Sequence, residues 1–108
     1  MNKSVLITGV AKEDITQISE YIAIDNKNAS IKIIDDFYET LELLSNFPET
    51  GSIKDGIKDK TIRIYTMKKN FAIVYRILND KIEILRVLTR YQNIFAILKT
   101  IFIYKITF

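Results

Sequence analysis

The sequence has no cysteine and no histidine, and these absences remove much of the usual chemistry before any motif is considered. Without cysteine there is neither a disulfide framework nor a thiolate metal site. Without histidine, the commonest zinc ligand and the commonest general base at neutral pH are gone. Any catalysis has to use Lys, Arg, Tyr, Asp or Glu, and neither a metal nor a cofactor is expected. Long apolar runs are missing as well. The opening MNKSVLITG has too short an apolar core for a secretory signal, and no run reaches the roughly 20 residues that span a bilayer. A soluble cytoplasmic protein without a membrane partner is the expectation. At 108 residues the chain makes one domain, 1–108, large enough to bury a core without staples.

What charge there is lies unevenly. Residues 1–50 carry a net −5 and residues 51–108 a net +8, which together give the overall +3. A basic half built from strands and loops can focus a positive patch on a partner, although solvated surface charge explains the same pattern.

The firmest local structure is at residues 71–93, FAIVYRILNDKIEILRVLTRYQN. Asn79-Asp80 suits a tight turn, and the flanking runs are rich in β-branched and aromatic residues, so two antiparallel strands are predicted. On the first, Phe71, Ile73, Tyr75 and Ile77 alternate with Ala72, Val74, Arg76 and Leu78. On the second, Ile82, Ile84, Arg86 and Leu88 alternate with Glu83, Leu85 and Val87. Both faces are apolar, so helices should cover one and a further element or a partner chain the other. Uncovered, the second face would be a sticky patch that makes the free protein self-associate.

Elsewhere, residues 4–7 read as a strand. Thr8 is a candidate N-cap for an amphipathic helix through Ala11, Ile15, Ile18 and Ile22. Asn26 or Asn28 can cap a second helix, with Ala29, Ile33, Phe37, Leu41 and Leu44 in one stripe and Ile34 and Tyr38 widening it. Pro48, the only proline, ends that helix. Residues 51–60 form a polar loop and residues 61–67 another strand. In the last fifteen residues, Ile94, Ile97, Leu98 and Ile101 fit a helical stripe, and Phe102, Tyr104, Ile106 and Phe108 one strand face. The fold class is therefore α+β: an N-terminal strand and an α-helical hairpin packed on a mainly antiparallel β-sheet, then a short C-terminal helix and an apolar tail at 101–108. Such a tail should fold back on the sheet, where it would compete with a partner.

Four stretches, YIAIDNKNA, LELLSNFPETG, IRIYTMKKNFAIVYRI and KIEILRVLTRYQN, in this order and spacing, resemble the RelE/ParE family of toxins from bacterial type II toxin-antitoxin pairs. The resemblance covers roughly residues 4–98, and the tail at 101–108 departs from it. It implies a small basic toxin neutralised by a cognate antitoxin segment lying across the hydrophobic surface of the sheet and helices, here assigned to Val74, Ile82, Ile84 and Leu88. Two activities compete within the family. RelE-like members cut mRNA on the ribosome with Lys, Arg and commonly a terminal Tyr, and would here use Arg90, Lys68, Lys69 and Tyr91. The strand position where such members carry an Arg is Ala72, however, and the place of the terminal Tyr falls on Phe95 or Ala96. ParE-like members bind DNA gyrase, and RVLTRYQN is closer to their pattern, so gyrase inhibition is preferred. A degenerate toxin that only binds its antitoxin is the third alternative. Both a homo-oligomer and a toxin–antitoxin hetero-oligomer stay open.

The residues assigned to the target are Arg63, Lys68, Lys69, Arg86, Arg90, Tyr91 and Gln92. Arg63, Arg86, Lys68 and Lys69 each have a plainer role beside this one, whereas Arg90, Tyr91 and Gln92 leave the sheet into a turn where side chains are free to reach a partner. Arg63 could pair with Glu83 or Asp80 on the sheet, and Arg86 could sit in a partly buried structural ion pair. Lys68 and Lys69 could simply keep a turn soluble. Tyr21, Phe37, Tyr38 and Phe47 read as core or core edge.

Overall fold

The hairpin predicted at the centre of the sequence is also the centre of the fold. In a computed structural model that describes residues 2–68, 70–89 and 92–97, β3 (Phe71–Ile77) and β4 (Lys81–Thr89) pair antiparallel. They are flanked by β2 (Ile62–Met67), antiparallel to β3, and by β1 (Ser4–Ile7), parallel to β4. The sheet order is β1-β4-β3-β2. One parallel edge makes the sheet mixed, as follows when the chain crosses two helices before it returns.

Those helices are α1 (Gly9–Asp25) and α2 (Lys27–Asn46), joined through Asn26 alone. Asn26 serves both: its N–H closes α1 on the Ile22 carbonyl at 2.9 Å, and its side chain accepts the Ala29 N–H at 3.0 Å to open α2. Thr8 caps α1 by accepting from the Ala11 N–H at 3.2 Å, while its hydroxyl donates to the Ile84 carbonyl at 2.9 Å. The helix start is thereby tied to β4. A cap of this kind contributes about 1 kcal/mol.

The inner stripes of both helices meet the sheet in one core, with Ala11, Ile15, Ile33, Phe37, Leu41 and Leu44 against Ile73, Tyr75, Ile82, Ile84 and Val87. Each large side chain buried here stabilises by roughly 1.5–3 kcal/mol relative to exposure. Three aromatic residues expected in this core or at its edge are outside it: Tyr21 at 76% exposure, Tyr38 at 56% and Phe47 at 65%. Tyr38 and Tyr21 lie off the inward stripes, and Phe47 follows the last turn of α2.

Strand β4 departs from the expected alternation. Val74 pairs with Arg86 and Tyr75 with Ile84, so Leu85 is the extra residue of a β-bulge. Ile82 and Ile84 face the helices and not a partner. After the bulge Val87 joins them, while Leu88 joins Leu85 in a second cluster on the opposite face.

That opposite face is closed by the chain itself. Ile57, from the loop before β2, is buried against Ile62, Val74, Leu85 and Leu88, and Ile94 and Ile97 of the helical turn 94–97 pack alongside. Residues 51–60, expected as a free polar loop, are therefore a covering element. The tail at 101–108 lies outside the described residues.

The junction between α2 and this loop rests on Tyr75. Pro48–Thr50 forms a 3-10 turn after Phe47. The fully buried Tyr75 hydroxyl donates to the Pro48 carbonyl at 2.6 Å and accepts the Gly51 N–H at 2.9 Å. Burial pushes the hydroxyl above its ordinary pKa, with the Gly51 N–H and the Arg63 charge pulling the other way. Gly51 must be glycine because a Cβ there would stand 2.6 Å from the Tyr75 hydroxyl oxygen and 3.0 Å from the Ile64 carbonyl. Tyr75→Phe should therefore lower stability by about 1–3 kcal/mol, since it strands one donor and one acceptor without replacing either. Urea melts followed by circular dichroism will test this. An unchanged midpoint would mean that water replaces the hydroxyl without loss.

Candidate functional site

The cationic residues named from sequence are sorted by the fold into those tied down and those left outward. Arg86 is tied down. Its Nε and Nη2 donate to the two Asp14 oxygens at 2.7 and 2.9 Å, and the Val87 N–H adds a third bond to that carboxylate at 3.0 Å. The hydrogen bonding to Asp14 raises the Arg86 pKa against the pull of burial. This pair links α1 to the β4 bulge, and it is the structural ion pair weighed for Arg86.

Arg63 is also committed, though not to Glu83 or Asp80. Its Nη1 donates to the carbonyls of Gly51 at 2.7 Å and Glu49 at 3.3 Å, which reinforces the turn that Tyr75 holds. Glu83 is taken instead by Arg76, a residue that sequence reasoning did not single out. Arg76 is only 5% exposed and lies between Asp59 at 3.1 Å and Glu83 at 3.5 Å. The signal was a lone Arg on an apolar strand face, which implies buried acids nearby.

Among the remaining candidates, Lys68 sits at the β2–β3 turn with φ 54°, a left-handed conformation that costs a non-glycine residue energy, and its ammonium lies 3.6 Å from Asp36. Gln92 folds back on the end of β4, its side-chain oxygen accepting the Thr89 N–H at 2.9 Å. Lys69, Arg90 and Tyr91 lie outside the described residues. Of the four residues assigned to antitoxin contact, Ile82 and Ile84 are fully buried beneath the helices, and Val74 and Leu88 are buried in the second cluster. They are core side chains in this arrangement because the helical hairpin takes one face and the chain's own loop the other.

The open apolar surface lies elsewhere. A groove of about 670 Å³ runs between α1 and the ends of β3 and β4. Ile18, Tyr21, Ile22, Phe71 and Val87 supply its apolar lining, and Gln17, Asn70, Thr89 and Gln92 are among its polar groups. A smaller hollow of about 230 Å³ on the other face holds Ala72 between Thr66, Leu88 and Gln92, with Lys54 at its margin. Ala72 brings no charge to it.

The uneven charge of the sequence becomes two layers. Exposed Glu13, Glu20, Asp25, Asp35, Glu39 and Glu42 are on the helices, whereas exposed Lys54, Lys58, Lys60 and Lys68 are on the sheet side of the chain. Among the described residues, no cluster of carboxylates is gathered to hold a metal, and no helix is long and apolar enough to cross a membrane.

Comparison with known proteins places this arrangement. A family model described as the ParE toxin of the type II toxin-antitoxin system parDE matches residues 5–94. No curated protein sequence matches. Among solved structures, the chain is similar to one from the chromosomal ParDE TA system of P. aeruginosa, with a TM-score of 0.68 and 20% identity over 81% of this chain and 95% of that one. It is also similar to one from the E. coli DinJ-YafQ toxin-antitoxin complex, with a TM-score of 0.60 and 13% identity over 82% and 93% of the two chains. At these identities the likeness is one of fold.

The Arg76 cluster gives the site region a defined response to acid. Burial alone would raise the Asp59 pKa, but the Thr61 hydroxyl and N–H and the Arg76 charge outweigh it and hold the carboxyl below its ordinary value. A depressed folded pKa contributes stability above the unfolded value of about 3.9, and that contribution is lost as pH falls through the folded value. The stability gap between the wild type and Asp59→Asn should thus stay constant above about pH 5 and close as pH falls below the ordinary carboxylate range and through the folded value. Urea melts across that range will measure it. A gap independent of pH would remove the carboxylate from the account.

Proposed function

Because this chain belongs to the ParE toxin family of type II toxin-antitoxin systems, matched over residues 5–94, we propose that it arrests growth by binding DNA gyrase and not by cutting RNA. The observation that carries this reading is the commitment of the described arginines. Arg63 serves two backbone carbonyls, Arg76 two acids and Arg86 Asp14. A nuclease without metal or histidine would draw on free guanidinium groups to meet the charge that develops on phosphate. Here three guanidinium groups hold the fold together, and the β3 position occupied by Arg in RelE-like members is Ala72. Inhibition by binding asks only for a surface.

Two in vitro assays separate the readings. The purified toxin should inhibit supercoiling by gyrase and should leave mRNA intact on translating ribosomes, and its induction in cells should trigger DNA damage signalling. Ribosome-dependent mRNA cleavage that Arg90→Ala abolishes would replace this function with the RelE-like one. Growth unaffected by expression would favour a chain that only binds its antitoxin.

For the antitoxin, the groove beside α1 is the better supported surface, since Val74, Ile82, Ile84 and Leu88 are covered. An amphipathic antitoxin segment would set its apolar side chains against Ile18, Ile22 and Phe71, with Tyr21 as the exposed aromatic anchor. Tyr21→Ala should leave the fold intact, because the side chain is 76% exposed, and should weaken antitoxin binding by about tenfold or more, as truncation of an aromatic hot spot does. Titration calorimetry gives the number. Unchanged affinity would move the antitoxin to another surface.

A further inference from the structure

The loop at 53–61 is irregular in backbone yet fixed at three points. Ile57 is inserted into the second apolar cluster. Asp59 reaches Arg76 at 3.1 Å with one oxygen and takes the Thr61 N–H at 2.9 Å with the other. Gly56, at φ 90°, lies against the ring of Phe95, where a Cβ would come within 3.1 Å of a ring carbon.

This anchoring sets Lys54, Lys58 and Lys60 outward, all three exposed. One of the two acids in the loop, Asp59, is turned in to Arg76, which leaves Asp55 as the loop's free carboxylate against three ammonium groups. Lys54 stands 5.9 Å from the centre of the Phe95 ring. Among the described residues, neither Lys58 nor Lys60 enters an ion pair.

The chemistry of the face selects its partner. A protein interface is built around an apolar centre, but Ile57, Ile62, Val74, Leu85 and Leu88 are buried in the second cluster. Outside are cations, the amides Gln92 and Asn93, the exposed apolar side chains Ile53 and Phe95, and the half-buried Ile64, Ile94 and Ile97. Three exposed ammonium groups on one anchored loop, against a single free carboxylate, match a polyanion, and ammonium–phosphate contacts that release counterions supply the affinity. We propose that loop 53–61 is a contact for the phosphate backbone of duplex DNA, through Lys54, Lys58 and Lys60. The inference rests on the gyrase reading, since gyrase brings such a duplex to the inhibitor.

Fluorescence anisotropy with a labelled mixed-sequence duplex, titrated over a range of salt, tests the surface without gyrase. For three lysine–phosphate contacts, the logarithm of affinity should fall with the logarithm of salt with a slope of about −2.7. The triple variant Lys54→Gln, Lys58→Gln, Lys60→Gln should flatten that slope and bind about tenfold or more weakly at low salt, with an unchanged circular dichroism spectrum. The matched variant Lys12→Gln, Lys27→Gln, Lys32→Gln removes the same charge from the helical layer and should bind like the wild type. Equal weakening by both triples would show that net charge alone is at work and overturn the assignment. Tighter binding of an equivalent RNA duplex, or no binding of DNA by the wild type, would also overturn it. A parallel supercoiling assay separates the two proposals. Duplex binding that the loop variant loses, without gyrase inhibition by the wild type, would retain this surface and remove the gyrase function. Gyrase inhibition without duplex binding would do the reverse.

Discussion

A strand pair that is apolar on both sides cannot be left in water, and this constraint on β3 and β4 sets the rest of the structure. Ile73, Tyr75, Ile82 and Ile84 on one side and Val74, Leu85 and Leu88 on the other are all at or below 7% exposure, so each side needs its own cover. The helical hairpin is the larger cover. Its two helices are joined by a single residue, which keeps their inner stripes in step, and Thr8 fixes the first of them to β4 by hydrogen bonds at both its backbone and its hydroxyl. The second cover is irregular chain at residues 51–60 beside the helical turn 94–97, and this difference decides where the polar anchors go.

A helix satisfies its own backbone, so apolar contact is enough to seat it. An irregular loop lacks that internal ladder and has to be held by side chains. The anchors along residues 47–61 are of this kind: the Tyr75 hydroxyl and the Arg63 guanidinium on the turn around Gly51, and Arg76 on Asp59, with one backbone bridge, Ser52–Ile64, between them. An apolar residue in place of Arg76 would fill the same space, and replacing buried ion pairs in that way is often neutral for stability. It would leave Asp59 only its bonds to Thr61 within the loop, however, and would remove the one ionic tie between the loop and the sheet among the described residues. The guanidinium therefore contributes to the position of the loop more than to the burial of the sheet.

The parts of this fold governed by local rules were legible in the sequence. The caps Thr8 and Asn26, the stop at Pro48, the turn at Asn79-Asp80 and the inner stripes of both helices each depend on a few neighbouring residues, and each is found where those residues put it. The features that were not legible depend on residues far apart in sequence. The bulge at Leu85 has no compositional mark, yet it exchanges the faces of Val87 and Leu88. Asp59 and Arg76 are separated by 17 positions and Asp14 and Arg86 by 72, so no spacing rule connects them. Tyr21, Tyr38 and Phe47 were misread for the opposite reason: aromatic composition suggests burial, while the helix stripes and the end of α2 turn these three outward. The same misreading of exposure led to Val74, Ile82, Ile84 and Leu88 as a partner surface, since the covering role of Ile57 appears only when the loop is seen lying on the sheet.

The separation of charge along the chain becomes a separation across the molecule because of connectivity. The first half supplies both helices and the second half supplies three of the four strands with their loops, so an acidic layer is packed on a cationic one. The groove beside α1 is where the two layers meet, with Asp14 and Gln17 from the helix on one wall and Phe71, Thr89 and Gln92 from the sheet on the other. The Asp14–Arg86 pair next to it neutralises one charge of each sign at the junction. Among the described residues, the result is a seam without net charge between two charged faces. A seam of that kind favours an apolar ligand segment, whereas the faces beyond it discriminate by the sign of what flanks that segment. The loop lysines lie on the second face of the sheet, away from the layer that supplies α1, so a segment held in the seam and a polyanion held on the loop would meet different surfaces of the same rigid sheet.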